Sequence, residues 1–143
     1  MNIKEICEEV FLASSLKMKP EVKLVFDKEL PSIRLKTDPQ RVMQVISNFV
    51  NNAIKFTEKG SITISYKREG NYLRVNVQDT GIGISEDDRK RIFERFIKIN
   101  EFKQGTGLGL TISRTIIESL NGAIGVDSVK GSGSTFWFTL PLE

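Results

Sequence analysis

Between positions 42 and 54 the residues Val42, Val45, Ile46, Phe49, Val50, Ala53 and Ile54 keep the i, i+3, i+4, i+7 spacing of one apolar helix face. Asp38-Pro39 supplies a capping carboxylate and a proline at the first helical position, and Glu58-Lys59-Gly60 closes the run. A helix this one-sided must lay that face on something, and the flanking sequence offers strands. The apolar period drops to two at Ile62, Ile64 and Tyr66, and again at Leu73, Val75 and Val77, with a hairpin turn over Arg68–Asn71. Upstream, Glu21–Phe26 alternates after Pro20, and Ser32–Thr37 sets Ile33 and Leu35 on one face. Downstream, Ala123–Asp127 and Thr135–Leu140 surround a Gly131/Gly133 turn. Alternating strands meet a different neighbour on each face, so the expected fold is a two-layer α/β sandwich. Its helices lie on one face of a mixed, mainly antiparallel sheet.

Three more helices complete the pattern. Residues 2–12 carry Ile3, Ile6, Cys7, Val10 and Phe11 on one face. A second helix runs from Ser85 to about Phe96, with Glu86, Asp87 and Asp88 at the positive end of its dipole. A third follows GTGLGL and stops at Asn121-Gly122. At 143 residues, with no repeats and no low-complexity tract, one domain suffices. Composition then excludes several chemistries. The chain has no histidine and a single cysteine, which removes imidazole zinc sites, Ser-His-Asp triads, a histidine nucleophile of its own and any intrachain disulfide. The net charge of +3 comes without runs of like charge or basic-aromatic interleaving, so no nucleic-acid partner is expected. Apolar runs fall far short of the roughly 18 residues of a membrane span.

Three stretches carry chemistry. On the helix at 40–56, Asn48, Asn52 and Lys55 share a stripe bordering the apolar face. Asparagine costs about 0.7 kcal/mol against alanine in a helix, and Asn48, Asn51 and Asn52 fall within two turns. A solvated polar face is one explanation. The other is a row of amide oxygens suited to magnesium, with an ammonium suited to phosphate. The second stretch, DTGIGI (79–84), follows a strand directly. It is either a plain Asp-Thr-Gly turn or a carboxylate placed to accept from an exocyclic amine, with glycines admitting a ligand close to the backbone. The third, GTGLGL (105–110), opens a helix. It is either a glycine-rich turn or a set of bare N–H groups at a helix start, an anion site. Its spacing matches neither the phosphate loop nor the dinucleotide fingerprint.

In this order the stretches resemble the ATP-binding fold shared by gyrase, the large heat-shock chaperone and the sensor histidine kinases, and in particular the catalytic domain of a sensor histidine kinase. The resemblance rests on RVMQVISNFVNNAIKFT (41–57), DTGIGI (79–84), RIFERF (91–96), GTGLGL (105–110) and GSGSTFWFTLP (131–141). It implies ATP and Mg2+ as cofactors. Asn52 would be the main magnesium ligand with Asn48 assisting, Lys55 would reach the phosphates, and Phe56 would flank the nucleotide. Asp79 would read the adenine amine, with Gly81, Gly83 and Ile84 shaping the pocket. Gly105, Thr106, Gly107, Leu108 and Gly109 would wrap the phosphates. Lys98, in a short lid at 97–104 that closes on substrate, and Thr135 in the closing strand complete the set.

The resemblance also implies a mechanism and partners. ATP-hydrolysing relatives carry a water-activating glutamate at the place of Asn48, and an amide is no general base. The γ-phosphoryl group would therefore go to a histidine on a separate, helical dimerisation domain of the same parent protein. Residues 1–19 would be the connecting helix end from that domain and 20–143 the catalytic domain. A response regulator receiver domain would be the downstream partner. The parent would be dimeric and membrane-anchored, with this domain on the cytoplasmic side. Two alternatives stay open: a serine kinase of the anti-sigma type on the same fold, and a non-catalytic nucleotide-binding regulatory module.

Overall fold

The computed structural model describes residues 1–83 and 108–142, with side chains from position 110 in the second stretch. Helix α1 (Ile3–Ser15) starts at Asn2, whose Oδ1 accepts from the Lys4 amide at 3.0 Å. It runs past the expected residue 12 because Ser14 continues the buried face of Ile3, Ile6, Cys7 and Val10. Strand β1 (Val22–Phe26) follows, then α2 (Pro39–Phe56). Asp38 caps α2 as its sequence requires, Oδ1 accepting from the Gln40 and Arg41 amides at 3.0 and 3.3 Å. Strands β2 (Gly60–Glu69) and β3 (Tyr72–Asp79) form the hairpin, its loop shortened to Gly70-Asn71. Helix α3 (Leu108–Ser119) and strands β4 (Ala123–Val129) and β5 (Gly133–Pro141) close the chain.

The five strands form one sheet in the order β1-β2-β3-β5-β4. β1 runs parallel to β2 and every other pair is antiparallel, the mixed sheet expected. Its inner face carries Ile62, Ile64 and Tyr66 from β2, Leu73, Val75 and Val77 from β3, and Phe136, Phe138 and Leu140 from β5, all buried. α2 lies between α1 and α3 over that face, and Phe49 brings its ring 5.4 Å from that of Phe136 and 6.1 Å from that of Phe138. On the outer face Trp137 lies under the Arg74 guanidinium at 4.7 Å. Gly125 sits beside that indole, where a Cβ would collide with the ring.

One expected strand does not form. Over Ser32–Thr37 there is only an isolated antiparallel bridge between Asn2 and Arg34. The Ile3 and Leu35 amides donate to the Ile33 and Met1 carbonyls, both at 3.0 Å. The partner segment is too short for a ladder because α1 takes over at Ile3. At the end of α3 the left-handed residue is Asn121, φ 66°. Gly122 N–H reaches Ile117 O at 2.9 Å and Asn121 N–H reaches Glu118 O at 3.1 Å, a Schellman ending. The expected helix at 85–96, with Phe93 and Phe96, lies outside the described residues.

Candidate functional site

Three chain segments meet at one end of the sheet. The first is the later half of α2. Asn48 and Asn52, one turn apart, are both half-buried, while Asn51 and Lys55 are exposed. The three asparagines do different things. Asn51 is bound from the segment after α1, Lys17 Nζ donating to its Oδ1 at 3.0 Å. Asn48 Nδ2 donates to Ser113 Oγ of α3 at 3.2 Å. The Asn52 carboxamide has no hydrogen bond among the described residues, so its oxygen keeps both lone pairs. Lys55 forms no ion pair among the described residues. Phe56 is 5% exposed and belongs to the core. Its backbone contributes more directly, the carbonyl accepting from the Ile82 amide at 3.2 Å.

That bond ties α2 to the second segment, the turn after β3. Asp79 ends β3 and is only 5% exposed. Its Oδ1 accepts from the Gly81 amide at 2.8 Å. Burial pushes the carboxyl above its ordinary range, and hydrogen bonds from the Gly81 and Ser134 amides draw it partway back. The glycines are there for space. A Cβ on Gly81 would strike the Phe56 carbonyl, and Gly83, φ 73°, sits against the Val129 carbonyl. The Gly131 amide donates to the Ile82 carbonyl at 2.5 Å, fixing the turn to the β4–β5 hairpin. Ile84 lies outside the described residues.

β5 supplies the third segment. Asp79 pairs with Ser134, whereas Thr135 pairs with Gln78 and Asp127 on the other face of the sheet. Alternation along the strand therefore turns Thr135 away from Asp79 and sets the buried Ser134 beside it. Ser134 Oγ lies 2.7 Å from Ser128 Oγ, and Ser128 donates to the Gly133 carbonyl at 3.0 Å. An open cleft at this sheet end is lined by Asp79, Ser128, Gly133, Ser134 and Thr135 among others. Sequence reasoning missed Ser134, although counting in twos back from Phe138 and Phe136 reaches it.

Of the second glycine stretch, Leu108 and Gly109 are the first two residues of α3. Gly105, Thr106 and Gly107 lie outside the described residues, as do Lys98 and the rest of the lid at 97–104. α3 has no acidic residue in its first turn, where negative charge is favoured by the helix dipole. No cluster of three His, Cys, Asp or Glu able to hold a metal occurs among the described residues. The donor set instead suits a hard cation that keeps water and phosphate as its other ligands, the usual habit of magnesium. No helix among the described residues is long and apolar enough to cross a membrane.

Known proteins share this architecture. The family described as histidine kinase-, DNA gyrase B-, and HSP90-like ATPase matches residues 37–143. The sensor protein GacS of Pseudomonas syringae pv. syringae is 38% identical over 154 residues, covering 99% of this chain and 17% of GacS. The catalytic domain of the histidine kinase ThkA, in a nucleotide-free form, superposes with a TM-score of 0.87 at 33% identity, covering 99% of this chain and 93% of that one. Full-length ShkA in complex with AMPPNP gives 0.84 at 33% identity, covering 99% of this chain and 30% of ShkA. The chain thus spans less than a fifth of the length of the curated relatives it matches.

Proposed function

The chain belongs to the histidine kinase-, DNA gyrase B- and HSP90-like ATPase family, and from that premise we propose that it binds ATP with Mg2+ and donates the γ-phosphoryl group to a histidine on a separate dimerisation domain. The observation that carries this reading is the junction of the Phe56 carbonyl with the Ile82 amide, which joins the asparagine row of α2 to the turn that holds Asp79. One segment offers amide oxygens and a lysine; the other offers a buried carboxylate.

Asp79 accepts a hydrogen bond from the purine amine, and Ser134 borders the same end of the cleft. Asn52, with Asn48 a turn earlier, offers amide oxygens to the metal. Lys55 reaches the phosphates, and the backbone amides that open α3, with Gly105, Thr106 and Gly107 before it, take up phosphate charge. Magnesium bound there supplies neutralisation of the triphosphate. The chain's own contribution is to hold the γ-phosphoryl in line for an incoming nucleophile and to leave water unactivated, since Asn48 cannot take a proton. The acceptor histidine, a receiver domain further along the relay, dimerisation, and a membrane-anchored parent with this domain in the cytoplasm belong to the same proposal. The complex of ShkA with AMPPNP supports the nucleotide, and the sensor-kinase relatives favour histidine over serine as acceptor.

Calorimetric titration of ATP into the chain, with magnesium and with EDTA, tests the reading. We expect magnesium to tighten binding and Asn52→Ala to remove about tenfold or more of that gain, the scale on which metal affinity responds to changes around a site. Binding indifferent both to magnesium and to Asn52→Ala contradicts it.

A further inference from the structure

Ser113 stands in the middle of α3 and is fully buried, on the same face as the core residues Leu110, Ile116 and Ile117. A hydroxyl on so apolar a face needs a partner. It could find one within its own helix, at the carbonyl one turn back. Its oxygen accepts a hydrogen bond from Asn48 Nδ2 at 3.2 Å, across 65 positions of sequence. A carboxamide has a donor end and an acceptor end. A carboxamide held by its NH2 on one side can offer its oxygen on another, and Asn52 stands one turn further along the same stripe of α2.

We propose that Ser113 is a positioning residue: it holds the Asn48 carboxamide with its oxygen presented to the magnesium nucleotide. The inference rests on the reading of Asn48 and Asn52 as magnesium ligands. Ser113 touches neither metal nor nucleotide. It acts as the outer partner that orients a ligand, a class of residue whose loss typically costs metal affinity 10–100-fold. The same bond fastens α3, the helix opened by the second glycine stretch, to the metal-holding stretch of α2. On that reading the bond helps to link the seating of the phosphates to that of the cation across the α2–α3 seam.

The test measures ATP affinity of the whole chain with magnesium and with EDTA, for the wild type, Ser113→Ala and Ser113→Cys. Cysteine fills the space of serine but is a weak acceptor, so the two variants separate packing from hydrogen bonding. In both we expect the magnesium-dependent gain to shrink about tenfold, with EDTA affinity changed by less than about twofold. A wild-type gain in Ser113→Cys overturns the inference and leaves the ligand reading standing. A wild type indifferent to magnesium overturns the ligand reading and the inference with it. If both variants unfold, the wild type decides: the Asn48 Nδ2 protons should exchange with solvent far more slowly than those of exposed Asn51. Equal exchange at the two amides overturns the inference.

Discussion

Asp79 sits at a position only 5% exposed, where burial raises the carboxyl and the Gly81 and Ser134 amides compensate in part. An unfolded aspartate titrates near pH 4. A carboxyl whose folded value lies higher binds its proton more tightly in the folded state. Its destabilising effect therefore develops as pH rises between the two values and is complete above the folded one. Asp79→Asn removes that effect while keeping an oxygen for the Gly81 amide. The variant should melt higher than wild type at pH 7, with the advantage gone below about pH 4. It should also bind ATP about ten- to a hundredfold more weakly, having lost a charged acceptor. Scanning calorimetry at both pH values and titration with ATP check this; a lower melting temperature at pH 7 with unchanged affinity contradicts it. Asp79 was legible because a carboxylate at a strand end followed by spaced glycines is a local pattern. The face of Thr135 needed the strand's phase, which the apolar Phe136 and Phe138 supply. Ser113 was visible only as a polar intrusion at helical spacing between Leu110 and Ile117. Its partner, 65 positions away, leaves no local trace.

Elements whose boundaries are set by their own residues came through from the sequence. α2 starts at Asp38-Pro39 because the cap and the proline are both local, and α3 ends at Asn121-Gly122 because the left-handed residue is in place. The finer assignment inside that pair was hidden. Glycine is the commoner left-handed residue, yet here Asn121 has φ 66° and Gly122 is needed for its close approach to the Thr139 carbonyl. Asn121→Ala should therefore destabilise the chain by about 1 kcal/mol, the cost of a Cβ in the left-handed region, while Asn121→Gly should not. Urea unfolding of the two variants measures the difference; equal midpoints contradict the assignment. Ser32–Thr37 failed as a strand for the opposite reason. Its alternation is real, but a strand requires a partner, and α1 leaves it a single bridge at Asn2. Pairing is a property of two segments, and a period in one of them cannot reveal it.

At the scale of the whole chain, the mixed sheet and the family were legible, because several short motifs in fixed order are far more specific than any one of them. Their roles as ligands remain proposals, and one consequence concerns turnover. On the proposed reading the amide at Asn48 activates no water, and the chain has no histidine to do so. The isolated chain should hydrolyse ATP well below about 1 per second, the lower end of ordinary turnover numbers. A phosphate-release assay measures this, and several turnovers per second would contradict an acceptor other than water. The most direct measurement is a crystal structure of the chain with AMPPNP and magnesium. The cation should bind the Asn52 amide oxygen, with Asn48 beside it, and the adenine amine should lie on the Asp79 carboxylate. A nucleotide seated elsewhere, or a cation that leaves both amides untouched, would contradict it.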